Sequence, residues 1–107
     1  VWWVNGKPGD KLTIAVPVKE TGKYELKTQL TKAGDYGIVQ LYFDGQKLGD
    51  PIDCYNYEVI PTGELSLGTL DLAAGQHKFT AEIVGANEKA VKAYMCGIDY
   101  VKLLPVK

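Results

Sequence analysis

Asp50, Asp53, Tyr55, Asn56 and Tyr57 follow one another closely and obey no apolar period. Carboxylates accept hydrogen bonds from hydroxyls, and an amide both donates and accepts. A tyrosine ring can lie against an apolar C–H face while its hydroxyl stays wet. Together these residue types suit a polyhydroxylated ligand. Tyr36, just after the turn Ala33-Gly34-Asp35, adds a ring of the same kind. The candidate binding set is therefore Tyr36, Asp53, Tyr55, Asn56 and Tyr57. A structural reading stands beside it. Asp and Asn stabilise turns by bonding their own backbone, and tyrosines can plug the end of a β-fold.

Other residues carry further options. Trp2 and Trp3 are adjacent, so on a strand they point to opposite faces. One is expected in the core; the other is a stacking platform for a sugar ring or a contact with another domain. Asp99 shares a strand face with Val101 and Leu103. If that face is internal, the carboxylate must be satisfied. It could ligate a cation such as calcium with Asp10, or accept backbone N–H bonds that tie down a loop. His77 is the single histidine and is expected at the start of a strand beside a turn. No Ser–His–acid order stands out. No two of the acids are set apart in an apolar pocket as glycoside hydrolysis requires. Autonomous catalysis is not expected. Cys54 and Cys96 lack metal-ligand spacing; they are either a disulfide in an exported protein or two buried thiols.

The elements that must hold these residues alternate with period two almost throughout. Leu12, Ile14, Val16 and Val18 share one face, and Pro17 on the other suggests an edge position or a bulge. Tyr24, Leu26, Thr28 and Leu30 face one way, with Glu25, Lys27, Gln29 and Thr31 on the other. Ile38 to Phe43 is apolar on both faces and reads as a central strand. Asp44-Gly45 supplies the positive φ angles of a tight hairpin. Leu65 and Leu67 are out of phase with Leu70 and Leu72; a β-bulge at Gly68 would bring all four to the core. A further strand starts near His77. Gly85 to Lys92 is a loop or a single helical turn, and Tyr94 to Leu104 closes the chain as a strand. About eight short strands with regular turns predict an all-β antiparallel sandwich, with a jelly roll as the expected topology.

The chain has 107 residues and 46% hydrophobic residues, enough for a single β-sandwich domain across residues 1–107. Its net charge is −1, so no basic footprint for nucleic acid exists. Every basic side chain apart from His77 is Lys, which disfavours bidentate capture of phosphate or carboxylate. No apolar run has the length of a membrane helix. The chain opens on Val1-Trp2-Trp3 without an initiator Met, as expected for a domain excised from a larger protein.

Several pieces in order resemble a bacterial family of jelly-roll domains: Trp2-Trp3, Lys7 to Leu12, Gly22 to Leu26, Asp35-Tyr36-Gly37, Asp44-Gly45, Asp53 to Asn56, Leu67-Gly68, Ala74 to His77 and Gly97 to Tyr100. That family occurs as a C-terminal accessory domain of large secreted proteins, many of them glycoside hydrolases. The closing Gly97-Ile98-Asp99-Tyr100-Val101-Lys102-Leu103 looks like the last strand of galactose-binding-like carbohydrate-binding modules. The resemblance implies a non-catalytic accessory module, an extracellular or periplasmic location, and a glycan and the parent enzyme's domains as partners. The alternative is a structural domain that packs on its parent or mediates oligomerisation. Related modules often hold a structural calcium through acids on their first strand, yet no acid precedes Asp10 here. Cys54 and Cys96 also stand where that family carries ordinary apolar residues, which favours their being partners.

Overall fold

The computed structural model describes residues 1–4 and 6–106. Every regular element in it is a strand. They are β1 (Trp2–Trp3), β2 (Lys11–Val18), β3 (Gly22–Lys32), β4 (Ile38–Phe43), β5 (Gln46–Asp53), β6 (Ile60–Pro61), β7 (Leu65–Leu72), β8 (Gly75–Gly85) and β9 (Cys96–Pro105). One sheet runs β1-β9-β3, with β7 and β6 sharing the far edge of β3; the other runs β2-β8-β4-β5. All named strand pairs are antiparallel. The fold is the expected all-β jelly-roll sandwich. Two of its elements, β1 and β6, have only two residues and are too short to leave a period.

Strand placement follows the side chains. β4 is central because both its faces are apolar, and Val39 and Leu41 are fully buried between β8 and β5. β2 is an edge, where Pro17 forgoes no ladder bond the sheet needs. Leu26 and Leu30 of β3 meet Phe79 and Ile83 of β8 in the core, all four with no exposed surface. Thr28 lies among them, and its hydroxyl is satisfied by donating to the Tyr100 carbonyl at 2.7 Å. Asp44 (φ 50°) and Gly45 (φ 84°) make the tight hairpin between β4 and β5.

Three irregularities shape the surface. On β7 the register against β3 shifts between Glu25 and Lys27, where Gly68 adopts φ 106°. Leu65, Leu67, Leu70 and Leu72 consequently all turn inward, as the phase slip predicts. On β9 the register against β3 shifts between Gln29 and Leu30, so Gln29 faces Tyr100 while Leu30 faces Ile98. Asp99 is the extra residue. The bulge lets Ile98 and Val101 both point inward and leaves Asp99 exposed, which corrects the expectation that Asp99 shares the face of Val101 and Leu103. On β5, Leu48 faces Leu41 and Ile52 faces Val39, so Gly49, Asp50 and Pro51 together oppose Gln40 alone.

Candidate functional site: the loop end of the sandwich

β3, β5 and β8 end, and β4 and β9 begin, at one end of the molecule. The loops there are stitched to one another through the backbone. The Ala33 N–H donates to the Cys54 carbonyl at 3.0 Å, and the Cys54 N–H to Gly37 at 3.1 Å. Gly37 donates to Met95 at 3.0 Å, and Val91 to Gly34 at 2.8 Å. The turn after β3 is thus the hub on which the segments 54–56 and 91–95 are hung.

The candidate residues meet different fates on this frame. Tyr36 is only 9% exposed. A Cβ on Gly97 would come within 3.1 Å of its ring. Burial above all, then the Asp35 carboxylate, pushes its hydroxyl pKa up. Tyr36 therefore plugs the sandwich and has no face left for a ligand, which corrects its place in the binding set. Tyr55 is half-buried, and its backbone forms a bridge with Ala33. Tyr57 is 80% exposed. Asp53 accepts the Tyr55 N–H at 2.9 Å through Oδ1 and the Asn87 side-chain amide at 2.8 Å through Oδ2. Asn56 donates to the Glu58 carbonyl at 2.7 Å. Both residues hold the loop in shape, as their turn chemistry allows, and their remaining lone pairs are what a ligand would find.

β1 lies against the first residues of β9, with Trp2 opposite Gly97 and Trp3 opposite Cys96. The expected alternation holds: Trp3 packs on the core, and Trp2 is 67% exposed. Tyr57 is thus the exposed ring of the loop after β5, and Trp2 is exposed across the sheet on β1. Tyr94, which sequence reasoning assigned to the closing strand, lies before it in a loop at φ 52°. That conformation is uncommon for a bulky residue, and nothing in the local sequence signals it.

Asp10 and Asp99 are not brought together as a metal pair. Asp10 accepts the Lys7 N–H at 3.0 Å in the turn before β2. Asp99, on the other sheet, accepts from the Gln29 amide at 2.9 Å and the Thr31 hydroxyl at 2.7 Å. Among the described residues no three His, Cys, Asp or Glu side chains cluster. Cys54 and Cys96 are free thiols, both buried. Burial first, and next the nearby Cys96, pushes Cys54 up to about 12; burial pushes Cys96 up to about 11. Of the two readings of these cysteines, the structure holds them as buried thiols.

No family model and no curated protein matches the chain. Solved structures do. A xanthan lyase from Paenibacillus superposes with a TM-score of 0.80 at 22% identity, over 95% of this chain. The chain has the fold of carbohydrate-binding modules. The CBM36-1 domain of a multidomain xylanase from the hindgut metagenome of Trinervitermes trinervoides matches over 94% of this chain, with a TM-score of 0.56 and 16% identity. The GH26-CBM35 β-(1,4)-mannanase of Podospora anserina matches over 95%, with a TM-score of 0.60 and 19% identity. This chain spans 10% of the lyase chain, 20% of the mannanase chain and 75% of the xylanase domain. At these identities the likeness establishes the fold alone.

Proposed function

We propose that this chain is a non-catalytic carbohydrate-binding accessory module of a secreted bacterial carbohydrate-active protein, working outside the cell or in the periplasm. The observation that carries the reading is the exposed ring of Tyr57, on the loop that follows Asp53 and bears Asn56; Trp2, also exposed, lies across the same sheet on β1. A sugar presents an apolar C–H face to such rings and hydroxyls to the polar groups beside them. Ring contact supplies the affinity, and the carboxylate and amide supply orientation. The fold shared with the domains named above supports the same reading, as does their placement within larger polysaccharide-active chains.

A second reading has its own support. Val59 on the Tyr57 loop and Val91 on the 86–95 loop are 76% and 70% exposed. An apolar loop end of this kind also suits docking against another domain of the parent protein. A glycan-array screen of this chain decides between them, repeated with a calcium chelator. Binding that survives chelation and falls about tenfold in both Trp2→Ala and Tyr57→Ala is expected. Because both side chains are exposed, melting temperatures should stay close to that of the parent. A blank array from a folded sample transfers the rings to the docking role.

A further inference from the structure

The two sheets also part along one side, between β5 and β7, and the groove there differs from the loop end in one respect. Its walls are both bulged. On β7 the bulge sits at Gly68; on β5 it spans Gly49 to Pro51, with Gly49 at φ 62°. The β5 bulge is braced from within. Gln40 is only 3% exposed, and its side-chain amide donates to the carbonyls of Leu41, Leu48 and Gly49 at 3.0, 3.4 and 3.1 Å. The buried amide is satisfied by these bonds, which fix the break in the edge ladder in one shape. Asp50 sits on this bulge and lines the groove, and bulges commonly re-aim side chains beside binding sites.

The groove is open to solvent and offers about 290 Å³, room for a single sugar ring. Its floor is aliphatic, from Ile52, Leu65 and Leu67, and its rim carries Lys32 and Asp50. Among the described residues neither charge is in an ion pair. Asp53 and Asn56, in contrast, already serve their own loop. The opening on the opposite side, between β2 and β9, is also apolar, but its acid, Asp99, is taken up by Gln29 and Thr31. A wholly apolar occupant of the β5–β7 groove would strip water from Lys32 and Asp50 and return nothing. A charged occupant would satisfy one and repel the other. A neutral ring with one C–H face and a rim of hydroxyls satisfies all three surfaces.

We propose that the groove between β5 and β7 is a second carbohydrate site, separate from the loop end, which takes one neutral pyranose unit. The ring lies on Ile52, Leu65 and Leu67, Asp50 accepts from its hydroxyls, and Lys32 donates to them. So small a contact gives a millimolar dissociation constant. The test is an amide-resolved NMR titration of the whole chain with the methyl glycosides of glucose, galactose, mannose and xylose, each to about 50 mM. At least one should shift the amides of Lys32, Asp50, Ser66 and Leu67. Asp50→Ala should weaken that response about tenfold, while Tyr57→Ala leaves it unchanged. Shifts confined to Trp2 and Tyr57 would overturn the groove and leave the loop-end reading standing. Shifts in the groove alone would do the reverse. Groove shifts that persist undiminished in Asp50→Ala, or no shift there with any of the four, would refute the proposal.

Discussion

His77 has a partner at each ring nitrogen. Nδ1 lies 2.5 Å from Asp44 Oδ2 and Nε2 lies 2.7 Å from the Ala73 carbonyl. Both partners are acceptors, so the doubly protonated ring fits best. The Ala73 carbonyl and then the Asp44 carboxylate raise its pKa. Partial burial opposes ionisation of Asp44, yet the bonds from His77 and the Lys78 N–H hold its pKa below the ordinary value. The raised His77 stabilises the fold below its unfolded pKa of about 6.5, and that contribution is lost as pH rises through the folded value. The lowered Asp44 contributes above about 3.9 and loses its share as pH falls through its own folded value. The gap in melting temperature between the parent and His77→Gln should therefore be widest between about pH 4 and 6.5, and narrow on either side. A gap independent of pH would show that packing on Phe43, whose ring centroid is 5.7 Å away, is all that His77 provides. The buried thiols yield a second expectation. A thiol reagent at neutral pH should leave native Cys54 and Cys96 almost untouched and modify both after denaturation, since so little thiolate forms. The pairing of Asp44 with His77 could not be read locally: Asp44 lies in the β4–β5 hairpin and His77 on β8, 33 residues on. Nor could residue type separate Tyr36 from Tyr57, whose opposite burial is decided by neighbours that arrive from β9.

At the scale of elements, the apolar pattern was most legible where it was regular or broken by glycine. Both faces of β4 named it central, and the slip from Leu67 to Leu70 located the β7 bulge. The β9 bulge was not legible, because Asp99 and Tyr100 carry no glycine and their phase shift reads as ordinary alternation. The β5 bulge was hidden for a different reason: nothing along β4 marks Gln40 as its brace, because two of the three carbonyls it bonds come from β5. The β7 bulge makes a clean comparison. Gly68 sits at φ 106° with open space around a would-be Cβ, while Gly85 has the same open space and no such backbone. Gly68→Ala should cost about 1–2 kcal/mol in a denaturant titration. Gly85→Ala should be neutral or slightly stabilising, because it mainly restricts the unfolded chain.

For the molecule as a whole, β3 is the strand on which the larger sheet depends. β9 pairs along it from Tyr24 to Thr31, while β7 and β6 divide its other edge. Leu26, Thr28 and Leu30 have no exposed surface. β1, in contrast, has two residues at a sheet edge, flanked by one backbone pair between Val1 and Ile98, and it carries a ring proposed to meet the glycan. The molecule therefore joins a rigid strand to a lightly held one across β9. In deuterated water, the β3 amides should open only with the entire sandwich and report its global free energy. Those of Trp2 and Trp3 should exchange through fraying, orders of magnitude sooner. A sugar that seats on Trp2 would then announce itself as slowed exchange in β1 with little change in β3, so the least protected strand would be the most sensitive reporter of the ligand.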